Sequence, residues 1–357
     1  MKKDSAIQPP RVMPDALKEF CTRILLSIGV AEQSADAAAR SMMHGSLHGV
    51  DSHGVRLLGH YFRAYEGGRL NKTPTLKTKR IKAGTALLDG DHAQGALPAY
   101  AAADLACDMA RETGIAAVGV QNSSHFGPAG AYTMHAVRRG MIALSFCNSD
   151  SFVRLHDGAE RFHGTNPISM AVPTEAENPW LLDMATSAVP YNRVQLYQSL
   201  GVALPDGVAS DENGIDTTDP QAAEMLAPVG HEFGFKGAAL AGISEIFSAV
   251  LTGMRLSPEI LPMGGDDMAT PREVGAFVIA MDPDGFIGAG LVKAGMTRYL
   301  EQLRSSSTLP DRRVMAPGDR EWEEKVRRKS DGIPIDPVTE KDFVHLAAQT
   351  GVVAPFD

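Results

Sequence analysis

The stretch NSSHFGPAG, residues 122–130, places His125 directly after the apolar run IAAVGVQ and ahead of AYTMHAVRRG, which reads as a helix. An imidazole at a strand end can exchange a proton with whatever occupies an adjoining cleft, because its ordinary pKa lies near neutral pH. The same position also suits a capped turn in which the ring only fills space. Five other segments have a related form: DSHGVR (51–56), CNSD (147–150), GTNP (164–167), LDMATS (182–187) and GFKG (234–237). Each ends a strand or opens a helix and sets short polar groups there. Polar groups repeated at element ends are what a cleft between elements requires.

Standard signatures for other chemistry are missing. GFIGAGLVKAG, Gly285 to Gly295, follows a strand, but its glycine spacing is wrong for a G-x-G-x-x-G fingerprint and no second strand with an acidic residue follows. It reads as a turn and a helix start. No G-x-x-x-x-G-K-[ST] stretch is present. His44 and His48 have the i, i+4 spacing of a helical zinc pair, but the glutamate that a zinc hydrolase needs between them is absent. His44, His48 and His60 are therefore expected to be surface or capping histidines, and no metal site is expected.

The elements that must position these groups follow from periodicity. Leu17, Phe20, Cys21, Ile24, Leu25 and Ile28 share one helical face, and Gly29 stops the run. SADAAARSMMHGSLHG is a second helix with Ser34 as its expected N-cap, and a third carries Leu57, Leu58 and Tyr61. From Lys77 the pattern changes. TALLDGD is strand-like, and PAYAAADLACDMARETG is a helix with Pro98 at its start and Gly114 at its end. Residues 115–121 and 141–147 are short buried strands on either side of a helix, which predicts a parallel crossover. NPISMAVP, WLLDMA and GAFVIAMDP add strands, residues 201–220 form a long surface loop, and FKGAALAGISEIFSAVLTGM is expected to be a buried helix.

The chain has 357 residues, 44% hydrophobic and 22% charged, within the range of ordinary globular proteins. Its net charge of -9 is spread along the sequence and argues against nucleic acid as a partner. Cys21, Cys107 and Cys147 share no metal-ligand spacing, and so sparse an odd set suits a reducing compartment. No signal peptide is read at the N-terminus and no apolar run of membrane-spanning length is expected, so the expected setting is the cytoplasm, with no membrane partner.

In this order and at about these separations, SHG, HFG, GTNP, DMATS and TTDP resemble the malate/L-lactate dehydrogenase family of the second type. This is a family of NAD(P)-dependent 2-oxo-acid and cyclic-imine reductases that includes ureidoglycolate and sulfolactate dehydrogenases and piperideine-2-carboxylate reductase. The resemblance runs from about Pro14 to Gly351. It implies a mixed α/β, non-Rossmann NAD(P)-binding fold with helical N- and C-terminal parts. The expected division is a helical part over 1–76, a cofactor-binding α/β domain over 77–290, and a mostly helical part over 291–357 that packs with the first. The implied reaction is hydride transfer between NAD or NADP and a 2-hydroxy or 2-oxo carboxylic acid, in a homodimer. A cyclic imino acid is the alternative substrate, and a cofactor-binding protein with reduced catalysis is the alternative from another class.

The resemblance also implies roles. His125 is the acid/base, with Asp150 beside it, and Ser52 and His53 adjoin substrate and nicotinamide. Ser149, Asp183, Met184, Ala185, Lys236 and Arg272 face the cofactor. Many members read Ser-His-Gly-x-x-Arg, the arginine clamping the substrate carboxylate. Here that position is Leu57 and the arginine stands one residue earlier, as Arg56. One residue is a helical rotation of about 100°, so Arg154 is a second candidate for the carboxylate.

Overall fold

A computed structural model describes residues 9–356. Its main sheet has seven strands: β2 (Lys77–Lys82), β3 (Thr85–Asp89), β4 (Ile115–Ser123), β5 (Ile142–Cys147), β8 (Ile168–Val172), β9 (Trp180–Met184) and β12 (Val274–Met281). They lie in the order β2-β3-β4-β12-β5-β8-β9, and only β3 and β4 pair in parallel. The predicted crossover from β4 to β5 keeps the expected direction, but the two strands are not neighbours. β12, arriving from late in the chain, lies between them and is antiparallel to both.

Helix α4 (Ala96–Thr113) lies against this sheet on a face of Ala99, Ala102, Ala103 and Ala106. Small side chains let a helix axis approach a sheet closely and still exclude water. Gly114, at φ +79°, ends α4 as predicted. Helix α5 (Gly130–Arg138) packs beside it.

A second core joins the two ends of the chain. It combines α1 (Pro14–Ser27), α2 (Glu32–Leu47) and α3 (Leu58–Glu66) with Ile333, Ile335, Phe343 and Leu346, the last two from α10 (Pro337–Thr350). Strand β1 (Arg11–Val12) pairs antiparallel with β13 (Ile333–Pro334). Helix α9 (Asp319–Asp331) lies against α2. A small sheet of β6 (Val153–Arg154), β7 (Arg161–His163), β10 (Ala209–Ser210) and β11 (Met225–Leu226) carries α6 (Tyr191–Leu200) over a separate apolar cluster.

Three local expectations change. Helix α2 starts at Glu32, after Ala31, so Ser34 is no N-cap; it lies buried inside the helix. His44 and His48 are buried, not at the surface, though His48 does cap α2, its Nδ1 2.7 Å from the His44 carbonyl oxygen. Their rings are 4.2 Å apart, and His48 also meets Trp322 of α9 edge-on. The stretch expected to be a buried helix forms α7 (Gly234–Glu245) and a π-helical turn over Ile246–Val250. Its inward face consists of small residues together with Glu245 and Phe247, and a side chain on Gly237 would stand 2.1 Å from the Val229 carbonyl oxygen. Phe233, Phe235, Ile246, Val250 and Leu251 are each more than half exposed. By length and composition alone His231–Val250 is long and apolar enough to cross a membrane, although Glu232, Lys236 and Glu245 interrupt it. Its inner face packs instead on β12, where a side chain on Gly275 would collide with the Ser248 backbone. Finally, α8 (Ala289–Arg304) starts where the late glycine-rich stretch was predicted to open a helix.

Candidate active site

The sheet order explains how distant motifs meet. β4, β5 and β9 point the same way, so the residues after Ser123, Cys147 and Met184 leave one end of the sheet. β8 and β12 run oppositely, so the residues before Ile168 and Val274 enter at that end. HFG, NSD, TNP, DMA and Arg272 are thereby gathered along one edge, with DSHG brought over it by α2.

His125 is held from two sides. Its Nδ1 lies 2.8 Å from the Tyr61 hydroxyl of α3, and its carbonyl accepts from Gln94 Nε2 at 3.2 Å. Its Nε2 makes no hydrogen bond among the described residues. Gly95 and Gly127 allow this fit. A side chain on Gly95 would lie 2.4 Å from the His125 carbonyl oxygen, and Gly127 has φ +79° with Ser41 packed against it. Burial pushes the His125 pKa well below the ordinary value, and the nearby His53, Arg272 and His60 push it further down. His125 is therefore neutral at pH 7 without ligand. For Nε2 to accept a proton, the neutral ring must carry its hydrogen on Nδ1 and donate it to the Tyr61 oxygen, and the same bond serves the charged ring.

His53 stacks on His125 with ring centroids 5.6 Å apart and 20° between planes. Its Nδ1 is 2.9 Å from Ser52 Oγ, and burial lowers its pKa to about 4. Asp150 does not hold the His125 ring. One of its oxygens pairs with Arg272, and the other accepts from the Met263 backbone at 3.2 Å. Arg272 is 1% exposed and also donates to the Leu261 carbonyl at 2.8 Å. A buried guanidinium needs such partners. Beneath the loop 147–150 lies Glu245, which accepts from Asn148 (3.2 Å), Asn166 (2.8 Å) and both Ser257 N (2.6 Å) and Oγ (2.7 Å). Ser149 is fixed by its neighbours: a side chain on Gly164 would stand 2.1 Å from its Oγ.

Asp183 sits at the N-terminus of α5 and accepts from Gly130 N at 2.9 Å, where a helix favours negative charge. Burial nonetheless raises its pKa to about 7, the Gly130 bond pulling the other way. A side chain on Gly130 would lie 2.6 Å from the carboxylate, so the position requires glycine. Asp183 Oδ1 makes no hydrogen bond among the described residues.

These groups line one connected space. A cleft of about 800 Å³ is walled by Ser52, His53, Arg56, His125, Ser149 and Asp150, among others. A branch of about 190 Å³ shares Ser52 and His53 and is lined by Asp183, Met184 and Ala185. An inner niche of about 30 Å³ lies between His53, His125, Asn148 and Arg272. A cleft with a few convergent polar groups is the usual form of a small-molecule site, and the free Asp183 oxygen beside backbone left bare by Gly127 and Gly130 suits a nicotinamide cofactor.

Of the residues expected from sequence, Ser52, His53, Arg56, His125, Ser149, Asp150, Asp183, Met184, Ala185 and Arg272 come together here. Two do not. Arg154 ion-pairs with Asp216 in a separate cleft of about 150 Å³. Lys236 is exposed, its ammonium 5.2 Å and 5.9 Å from the Phe233 and Phe235 ring centroids. Arg272, expected at the cofactor, borders the His125 niche as the counter-charge of Asp150. Tyr61 and Gln94 escaped sequence reasoning. Tyr61 carries the same apolar-helix signature as its neighbour Tyr65, and only the tertiary contact separates them.

A family model described as malate/L-lactate dehydrogenase matches residues 12–343 of the chain. Malate dehydrogenase of Pyrococcus abyssi is 33% identical over 350 residues, which cover 96% of this chain and 95% of that protein. Among solved structures, malate dehydrogenase from Entamoeba histolytica superposes with a TM-score of 0.91 at 27% identity, covering 98% of this chain and 100% of its own. Delta1-piperideine-2-carboxylate reductase from Pseudomonas syringae pvar. tomato superposes with a TM-score of 0.83 at 27% identity, over 95% and 100% of the two chains.

Proposed function

The chain belongs to the malate/L-lactate dehydrogenase family, and from that premise we propose how its own residues carry the reaction. The activity is oxidoreduction of a hydroxy acid with a nicotinamide cofactor. The observation that carries the assignment of roles is the His125 ring, held at Nδ1 by Tyr61, with Nε2 free beside His53 and Arg272. The bound nicotinamide supplies or accepts the hydride.

In the oxidising direction neutral His125, whose Nδ1–H donates to the Tyr61 oxygen, takes the hydroxyl proton at Nε2, and the charged ring keeps the same Nδ1–H bond to Tyr61. In the reducing direction the same proton returns to the developing alkoxide. An anionic substrate offsets the Arg272 field and raises the His125 pKa toward the range where it can act both ways. Arg56 is exposed on the cleft wall and makes no ion pair among the described residues, so it is our choice for the substrate carboxylate. Asp150 holds Arg272 in place and limits its repulsion of a charged His125. Asp183, Met184, Ala185 and Ser149 would hold the cofactor, within a cofactor-binding part spanning 77–290.

The exposed apolar surface of Phe235, Ile246, Val250 and Leu251 supports a homodimer, since a contiguous apolar patch of this kind is usually covered. Three free, buried cysteines support a cytoplasmic setting. The test is loss or gain of reduced-nicotinamide absorbance with a panel of 2-oxo acids and cyclic imino acids, each with NADH and with NADPH. Turnover of a 2-oxo acid, falling by about 10²–10⁴-fold in His125→Ala with cofactor affinity retained, is the expected result. Turnover confined to cyclic imino acids would replace the substrate class, and near-normal turnover by His125→Ala would remove its role.

A further inference from the structure

We propose that Arg328, outside the cleft on α9, is a positioning residue that clamps the Ser52–His53 segment through Asp51. The inference rests on the active-site assignment above. Helix α9, DREWEEKVRRKSD, is strongly polar, and most of its charges belong to its outer face. Arg327 follows that rule and pairs with Glu324 in the open. One residue on, the helix turns by about 100°, and Arg328 is only 5% exposed. A guanidinium at that depth requires partners for its donors.

The partners are specific. Arg328 Nη1 donates to the Ser46 carbonyl at 2.6 Å and to Asp51 Oδ1 at 2.5 Å, and Nη2 donates to Asp51 Oδ2 at 2.9 Å. Nε is taken by Glu324 on the preceding turn of α9. The fork on Asp51 is bidentate, the geometry that fixes direction as well as distance. Among the described residues Asp51 has no other ion-pair partner. Ser46 works in both directions: its carbonyl accepts from Arg328, while its hydroxyl accepts from Val55 N at 3.0 Å. The segment 51–55 is therefore pinned at Asp51 by Arg328 and at Val55 by Ser46.

Between the pins lie Ser52 and His53, with the 2.9 Å contact between them and the stack on His125. The segment rests backbone to backbone on α2. A side chain on Gly45 would lie 2.5 Å from the His53 carbonyl oxygen, and one on Gly54 would lie 2.2 Å from Ser46 Oγ. With so little side-chain material in between, the anchors at the two ends decide how the His53 ring presents itself to the cleft. A mere staple for α9 would not need Asp51, because Trp322 already packs α9 against His48 at the C-cap of α2.

The test is a double-mutant cycle of Arg328→Met and Asp51→Asn, with Arg328→Lys as the conservative variant, in the full chain. Three quantities are read: kcat and KM on the acid turned over by wild type, affinity for the reduced nicotinamide from its fluorescence, and amide hydrogen exchange over 50–57 against 32–43. A displacement near 1 Å in a catalytic segment costs about a hundredfold in rate, so each single change is expected to lower kcat by about ten- to a hundredfold. KM and cofactor affinity should change far less, and faster exchange should be confined to 50–57. Arg328→Lys keeps the charge without the fork and should fall between. The double variant should be no slower than Arg328→Met alone. Unchanged kcat in both single variants, or losses that multiply in the double, would overturn the clamp. Should Arg328→Met not fold, Asp51→Asn decides by the same criteria. A wild type silent on every acid would overturn the substrate assignment instead; the clamp would then stand or fall on exchange over 50–57, unchanged protection overturning it.

Discussion

Replacing Gly45 by alanine sets two effects of known size against each other. The new methyl group would stand 2.5 Å from the His53 carbonyl oxygen and 2.8 Å from its carbon. Ordinary contact begins at 3.4 Å, so α2 and the His53 backbone must part by about 0.9 Å along that line. Both obstructing atoms are backbone, so no rotamer change relieves the clash. Alanine favours the helix over glycine by about 0.5–1 kcal/mol, whereas overpacking at a tight contact costs about 1–3 kcal/mol. The clash wins, and the expected net loss is about 1–2 kcal/mol. Activity should suffer more, because a shift of that size moves the His53 ring off His125, and kcat should fall by about a hundredfold. Gly295 on α8, with nothing within 4 Å of its would-be side chain, is the control. Gly295→Ala should gain about 0.5–1 kcal/mol and leave kcat alone. Urea unfolding and reduced-nicotinamide turnover measure both quantities. A Gly45→Ala protein that is stabilised like Gly295→Ala, with wild-type kcat, would refute the reasoning.

Tyr61→Phe removes the hydroxyl from His125 Nδ1 and leaves a buried ring nitrogen without its partner, so kcat should fall about tenfold, the rate equivalent of a lost buried hydrogen bond; an unchanged pH–rate profile would count against it. His48 has its pKa lowered from 6.5 to about 4, chiefly by burial, with Lys325 and Arg138 adding to the effect. The unfolded chain binds this proton below pH 6.5 and the folded chain does not, so stability is complete above pH 6.5 and falls by about 3 kcal/mol as pH drops to 4. Urea unfolding at pH 7 and pH 4.5 should show a smaller acid loss in His48→Gln, and identical losses would exclude His48 as the cause. Arg56→Ala should raise KM for the acid about tenfold or more, while Arg154→Ala, whose guanidinium is spent on Asp216, should leave KM unchanged in the same assay.

What the sequence reveals and what it hides follow from the range of the interactions. His125, Asp150, Asp183 and Ser52 stand beside turn residues at strand or helix ends, and that local contrast is visible in a single chain. The main strands and helices are legible for the same reason, since periodicity is a local property. The insertion of β12 between β4 and β5 is not, because nothing in VGAFVIAM says which neighbours it will find. Tyr61 looks like any apolar-helix aromatic, and Arg328 like any charge on a polar helix. Their roles lie in contacts across 64 and 277 residues of chain. Arg154 and Lys236 fail in the opposite way: their local surroundings suggest a ligand, and a distant Asp216 or a pair of neighbouring phenylalanine rings occupies them instead.

The pairing of Arg11 and Val12 with Pro334 and Ile333 has a consequence for biosynthesis. In a nascent chain α1 to α3 emerge well before the residues that complete their apolar faces, Ile333, Ile335, Phe343 and Leu346, more than 260 residues later. Contacts so distant in sequence form late, since the intervening loop must close before they reward it. Until α10 has left the ribosome, α1 to α3 carry uncovered hydrophobic surface, the state in which chaperones engage a growing polypeptide. Catalytic competence therefore waits until β13 docks on β1.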